Sequence, residues 1–560
     1  MNTLRGNRWA SLAILSIGFL MILLDTTIVN VSIPTIIRDL SASLSDLEWV
    51  ISGYALSFAA LLITFGRLGD LYGRRNLFVG GLAVFTIASF FSGEATSSST
   101  LIIARLFQGV GGAMISPATL SIISSTFKGR ERATAFGIWG ATAGIAVALG
   151  PILGGYFTTY QTWRWIFRVN IPIGILAIIA TYLIVEESKE PKDHRIDVPG
   201  MVTSTLGFFF LVFALIEGQT YGWWSQAKAF SAGGFGWDHS GLSIIGLSFI
   251  LSAVFLAIFG IIEYIKTKAK LGPAINIDFF KLASFRYGLV AIAVISLGEF
   301  SSLFTLPIFL QSIKGMTPLH SGIATLPLAV AVMIAAPLSA KLVNRIGSKW
   351  VITTGISAEF LGIFLLSRLN LDTEYTSLLL PLAILGAGIG LAISQNTQVI
   401  LSEINPQEAG SASGILNTVR QVGSALGIAV IGAVLAHQFN ANLPGRVNAV
   451  PNLPEAAKQS IVSQVAARGT GDTGQAQEAT AIFPAPSEEV ANNSVALAEY
   501  QRQARKVSDD LTTAFHGALA DAIASAMRVG SLFVLLGALC SLLIPNVKQR
   551  REEEAQASAH

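Results

Sequence analysis

The chain has 560 residues, 52% of them hydrophobic and 13% charged, with a formal net charge of +3. Soluble domains carry about a quarter charged residues, and the mean hydropathy of +0.61 agrees in excluding a soluble globular protein. The charge excess is too small for a nucleic-acid partner, and a single cysteine, Cys540, excludes an internal disulfide and a cysteine zinc site.

Apolar runs of bilayer-spanning length recur along most of the chain and predict fourteen helical spans. Their approximate centres are residues 20, 56, 85, 112, 145, 176, 208, 252, 297, 331, 359, 388, 422 and 535. Arg5 and Arg8 precede the first run, which continues to about Val31 without a small-residue cleavage site and reads as a retained span. Span 1 closes on Leu24, Asp25, Thr26, Thr27, Ile28, Val29, Asn30, Val31, Ser32, Ile33 and Pro34. An Asp at the centre of a membrane helix costs about 2.5–3.5 kcal/mol to insert, and somewhat less toward one end. Asp25, nearer the outer half, should face the bundle interior, either bonded to Thr26 or Asn30 or serving as a cation or proton site.

The short links carry basic residues alternately: Arg67, Arg74 and Arg75, then Lys128, Arg130 and Arg132, then Lys189, Lys192 and Arg195. The same set continues with Lys266, Lys268, Lys270, Lys281 and Arg286, then Lys341, Arg345 and Lys349, and ends with Lys548, Arg550 and Arg551. The positive-inside rule then places both termini in the cytoplasm of a multi-pass cell-membrane protein. Between spans 2 and 3 stands Gly66-Arg67-Leu68-Gly69-Asp70-Leu71-Tyr72-Gly73-Arg74-Arg75-Asn76. Its glycines allow a tight turn, and Asp70 among three arginines invites charge-assisted pairing.

Span 4 holds Arg105, Gln108, Gly109, Gly111 and Gly112; a guanidinium in hydrocarbon needs acceptors and is a site candidate by default. Span 5 is crowded with Gly137, Gly140, Gly144, Gly150, Pro151, Gly154 and Gly155, which allow close helix approach and a bend at the proline. Glu299 is central in span 9, with no basic residue near it on its own helix, as a proton carrier requires. Glu359 in span 11 reads as structural. Gln395, Asn396 and Gln398 near the inner end of span 12 either bond substrate or face an inner vestibule. In span 13, Arg420 and Gln421 line the cavity or pair with Glu299, and Asn30, Gln108 and Asn417 are further cavity candidates. About eighty residues, 438–520, are too polar to span and by parity lie outside, with amphipathic stretches at 453–467 and 496–520. They form either a solvated linker or a helical hairpin over the outer mouth.

The halves echo each other at an offset of 277 residues: Gly109 and Gly111 fall on Gly386 and Gly388. Likewise Glu131, Ala135, Gly137 and Ile138 fall on Glu408, Ala412, Gly414 and Ile415, and Ala148, Leu149 and Gly150 on Ala425, Leu426 and Gly427. The expected fold is all-α: a six-helix bundle over 1–190, two additional helices over 191–272, and a second six-helix bundle over 273–560.

The Gly-x-x-x-Asp-x-x-Gly-Arg-Arg spacing resembles the signature loop of the major facilitator superfamily. The resemblance implies a cytoplasmic gate made by Gly66, Asp70, Gly73, Arg74 and Arg75 that holds an outward-open state. Leu71 departs from the basic residue usual at its place, and 344–349 is a degenerate echo in the second half. The 24–34 stretch resembles the span-1 signature of the fourteen-span drug:proton antiporters within that superfamily. Residues 105–113 resemble the span-4 motif, whose Arg is linked to proton coupling. Gly150, Pro151, Gly154 and Gly155 resemble the bend of the exporter motif, with Ala146 where the full pattern has Gly.

The implied function is export of hydrophobic, cationic compounds by alternating access, driven by protons as coupling ion through Asp25, Arg105 and Glu299. Export of an endogenous lipid or amphiphile, and a membrane sensor without transport, are the alternatives. The chain shows no phosphate-binding loop, metal pair or nucleophile elbow, so neither primary transport nor an enzyme is expected, nor any cofactor or metal. The expected partners are a small lipophilic or cationic substrate and membrane lipids, and the expected state is a monomer.

Overall fold

A computed structural model describes residues 6–40, 44–188, 196–232, 235–238, 241–269, 271–451, 453–468 and 494–546. Fourteen of its helices are long and apolar enough to cross a membrane. In chain order they are α1 (Arg8–Leu40), α2 (Leu44–Tyr72), α3 (Arg74–Gly93), α4 (Ser98–Thr126), α5 (Gly129–Tyr160), α6 (Asn170–Ile184, the main part of a span that starts at Trp165) and α7 (Val198–Tyr221). The second seven are α8 (Ile244–Ala269), α9 (Ala283–Ile308), α10 (Leu326–Ile346), α11 (Ser348–Leu366), α12 (Leu379–Ile400), α13 (Ala409–Asn448) and α14 (Ser494–Ser541). Every predicted span centre falls within one of them. Large apolar side chains such as Phe90, Phe107, Leu176, Ile334 and Leu380 stay exposed on the outer surface, as hydrocarbon as solvent demands.

Boundaries follow local chemistry. Ser97 caps α4 by accepting from Thr100 N at 3.3 Å, and Asp197 caps α7 by accepting from Gly200 N at 2.8 Å. Gly73 joins α2 to α3 at φ 111°, a conformation that a side chain opposes.

α1 to α6 pack into one bundle and α9 to α14 into another, built on glycine crossings. On α12, a Cβ at Gly386 would lie 2.1 Å from Leu328 O, and one at Gly388 would lie 2.6 Å from Gly355 O. The chain's basic links at 67–75 and 128–132 share one face, called the basic face below.

The inserted helices are not peripheral decoration. α7 lies against α2 of the first half and α13 of the second, where Leu56, Val212, Phe213, Leu215 and Ala425 form one apolar cluster. Polar bonds tie it to both sides: Ser52 Oγ donates to Glu217 Oε1 at 3.2 Å, and Gln219 Nε2 donates to Ala429 O at 2.9 Å. Between α7 and α8 a small antiparallel pair, Phe230–Ala232 with Phe235–Trp237, aligns Phe230 with Trp237.

The polar segment is partly helical. α13 runs on to Asn448, a short helix covers Glu455–Arg468, and α14 begins at Ser494 and continues unbroken into the last span. Phe439, Leu443, Val447, Ile461, Val507 and Phe515 belong to its apolar core, continuous with that of the second bundle. The rest of 438–520, at 469–493, lies outside the described residues.

Candidate functional site: buried charges of the two bundles

Asp25, on α1, has no solvent exposure and forms an ion pair with Arg105 of α4, itself 2% exposed. The same carboxylate accepts from Gln108 Nε2 at 3.1 Å and from Asn170 Nδ2, at the head of α6, at 3.2 Å. Arg105 also donates to Gln108 Oε1 at 2.9 Å and to Val50 O of α2 at 3.1 Å, and lies 4.4 Å from the Tyr54 ring centre. Gln108 Nε2 reaches Ser89 Oγ of α3 at 2.8 Å. α4 and α6 thus bond the carboxylate of α1 directly, and α2 and α3 hold the partners that do so. Thr26 is not its partner, because its hydroxyl bonds to Ile22 O at 3.1 Å. The side chain of Asn30 lies outside the described residues. Removing one member of such a pair strands a buried charge, at a typical cost of about 3–5 kcal/mol.

The second bundle carries a looser set. Glu299 on α9 and Arg420 on α13 lie deep among protein atoms yet stay partly solvent-accessible. They act on each other through space and form no direct ion pair; Arg420 reaches Thr397 Oγ1 at 3.5 Å. Gln421 is half-buried beside them. Gln395, Asn396, Gln398 and Asn417 are all buried. Gln395 Nε2 donates to Ser339 Oγ of α10 at 2.7 Å, and Asn396 Nδ2 to Gly288 O at 3.3 Å, so neither faces open space in this conformation. Asn417 Nδ2 bonds to its own helix at Ser413 O, 3.0 Å away.

At the basic face the halves are clasped. Asp70, fully buried, accepts from Arg74 at 2.8 Å and from the first amides of α13, Gly410 N at 2.9 Å and Ser411 N at 2.8 Å. A helix N-terminus favours a carboxylate. Arg74 also donates to the carbonyls of Pro406 and Gln407. A Cβ at Gly66 would sit 2.5 Å from Gly410 O, so the glycine permits the backbone contact. Gly73 faces Glu187, which accepts from Arg75 N at 3.1 Å and Asn76 N at 3.2 Å. Arg132 N–H donates to Leu401 O at 2.7 Å, a second bond between the halves.

α5 runs along α10 as the opposite seam. A Cβ at Gly137 would lie 2.8 Å from Ala336 O and one at Gly155 would lie 3.1 Å from Leu319. Pro151 abuts Gly322, Gly154 is buried, and Gly150 leaves room for Thr27 of α1. The bend residues therefore join the carrier of Asp25 to the second half.

Two participants went unread in the sequence. Asn170 gave no signal beyond being a polar residue at the head of a span. Glu217, an acidic residue within a span and 2% exposed, did give one.

The family model described as Major Facilitator Superfamily matches residues 15–428. The chain is 34% identical over 441 residues to the multidrug resistance protein Stp of Mycobacterium tuberculosis, covering 78% of each. It is 31% identical over 452 residues to the tetracenomycin C resistance and export protein of Streptomyces glaucescens, covering 80% of each. Its fold matches the crystal structure of the human organic anion transporter MFSD10 (TETRAN) with a TM-score of 0.56 at 12% identity, over 96% of this chain and 99% of that one.

Proposed function

This chain belongs to the major facilitator superfamily, and from that premise we propose that it is a proton-coupled exporter of hydrophobic, cationic small molecules. Relatives named for multidrug resistance and for tetracenomycin C export support the drug side of this reading. The observation that carries the coupling side is the Asp25–Arg105 pair, a fully buried carboxylate of α1 bonded from α4 and α6.

The basic face is the cytoplasmic one, which puts both termini inside. The clasp of Asp70 on α13 then closes the inner gate, and the conformation is open outward. A proton from outside neutralises Asp25 or Glu299 and releases a bound cation. Loss of that proton to the inside restores the carboxylate for the next one. Residues 1–190 and 273–560 rock against each other around these groups, with 191–272 riding at their seam.

The test is efflux of tetraphenylphosphonium from proteoliposomes. Asp25→Asn, less stable than the parent because it strands Arg105, should still insert and bind tetraphenylphosphonium but lose efflux driven by a pH gradient. Parent-like, gradient-sensitive efflux by that variant would remove Asp25 from the coupling.

A further inference from the structure

Glu359 lies midway along α11 with no solvent exposure, and neither of its carboxyl oxygens has a hydrogen-bond partner. Its side chain is turned into the bundle against α12, where a Cβ at Gly388 would lie 2.7 Å from Glu359 Cγ. Gly388 leaves the space that the side chain occupies, and lipid does not reach it.

Among the described residues no cation acts on this group. α11 packs against α9, α10, α12 and α14. α12 has no charged residue. On α10, Lys341 and Arg345 sit in the last two turns, at the basic face. On α14, Arg528 is exposed and Asp521 pairs with Arg446 at 2.7 Å. From α9 the group that acts on Glu359 is another acid, Glu299, whose own counter-charge is Arg420. The one guanidinium near these two carboxyl groups acts on Glu299 and not on Glu359. An ionised carboxylate with no donor in a membrane bundle neutralises rather than stays charged. Arg420 offsets Glu299, so the uncompensated acid is Glu359.

We propose that Glu359 is a second proton-binding site, holding its proton as a carboxylic acid in this conformation and releasing it when Glu299 exchanges its own charge partner. The step is a proton transfer: the Glu359 O–H bond breaks, the proton passes to water or to the Glu299 carboxylate, and the negative charge moves to Glu359. In the transport cycle this rests on the proton-coupled reading above and makes Glu359 a second proton carrier beside Asp25.

Two measurements on the purified full-length protein test it. Infrared spectroscopy at neutral pH should show a carboxylic-acid carbonyl band that loses intensity in Glu359→Gln. Proton release into weakly buffered detergent solution on adding tetraphenylphosphonium should fall by about one proton per cation bound in that variant. An unchanged band, or unchanged release, overturns the proposal. If the parent itself releases no protons, the proton-coupled reading fails, while the infrared band still decides whether Glu359 holds a proton. Should Glu359→Gln not fold, Glu359→Met, apolar and of similar length, gives the same two readouts.

Discussion

Asp25 takes its hydrogen bonds from Arg105, Gln108 and Asn170, so its charge is dispersed before any substrate arrives. Neutralising it would leave the Arg105 guanidinium without its counter-charge, and under the proposed coupling that imbalance is what one proton would use to move helices. Arg105→Gln should therefore lower stability by about 3–5 kcal/mol, because it strands Asp25, and adding Asp25→Asn should recover much of that loss. Thermal unfolding of the two single variants and the double variant in one detergent measures the coupling. Equal, additive losses would show that the pair is not energetically linked. Asp25 and Arg105 were legible as buried charges because ionisable residues in hydrocarbon are scarce, but their pairing with each other was not, since Thr26 and Asn30 stood nearer in sequence. Asn170 was not, since an amide at a helix head is common and its target lies about 145 residues away in sequence. Glu359 read as structural, and only its unpartnered oxygens distinguish it.

Asp197 shows how an element's end can be set by several contacts at once. It caps α7, accepts from Lys266 Nζ of α8 at 2.5 Å, and takes Ala274 N at 3.3 Å, pinning the segment after α8. Burial raises the carboxyl's pKa, but the bonds from Lys266 and Gly200 outweigh it, and the group ends below its ordinary value. A depressed folded-state pKa adds stability above the unfolded value of about 3.9 and loses it as pH falls through the folded value. Hydrogen exchange over 271–276 should therefore be slow at neutral pH and accelerate below about pH 4, and Asp197→Ala should be fast at both, with loss of the cap alone costing about 1 kcal/mol. Protection indifferent to both changes would deny Asp197 this role. Hydropathy placed the fourteen spans, because lipid imposes length and apolarity on each. It could not show that α14 passes without a break from the polar stretch near 496 into the last span. Hydropathy reports the surrounding solvent, whereas the backbone ladder continues across that boundary.

The two halves meet along two seams, α2 with α13 and α5 with α10, and the first is pressed backbone to backbone where Gly66 meets Gly410. A larger side chain at Gly66 acts on the whole molecule, since the halves must separate at the basic face to admit it. Gly66→Leu should populate the state open on that face, with a cysteine placed at Ser413 labelled by a membrane-impermeant thiol reagent several-fold faster than in the parent. Unaltered labelling would mean that the seam yields locally instead. The repeat in the sequence made two similar bundles legible, and the Asp70 motif marked their clasp. The place of α7 between them was not legible, because its apolar surface looks alike whether it meets lipid or both halves.

α14 is 48 residues long, about 72 Å at 1.5 Å per residue, while a bilayer's hydrocarbon needs only about 20 residues. No proline interrupts it. A rod of that kind is a lever: a small tilt of its buried portion swings the far tip through a much wider arc. A pair of fluorophores, one near Arg502 and one on the first bundle, would register each turn of the cycle from outside the bilayer, with the displacement already magnified by the protein's own architecture.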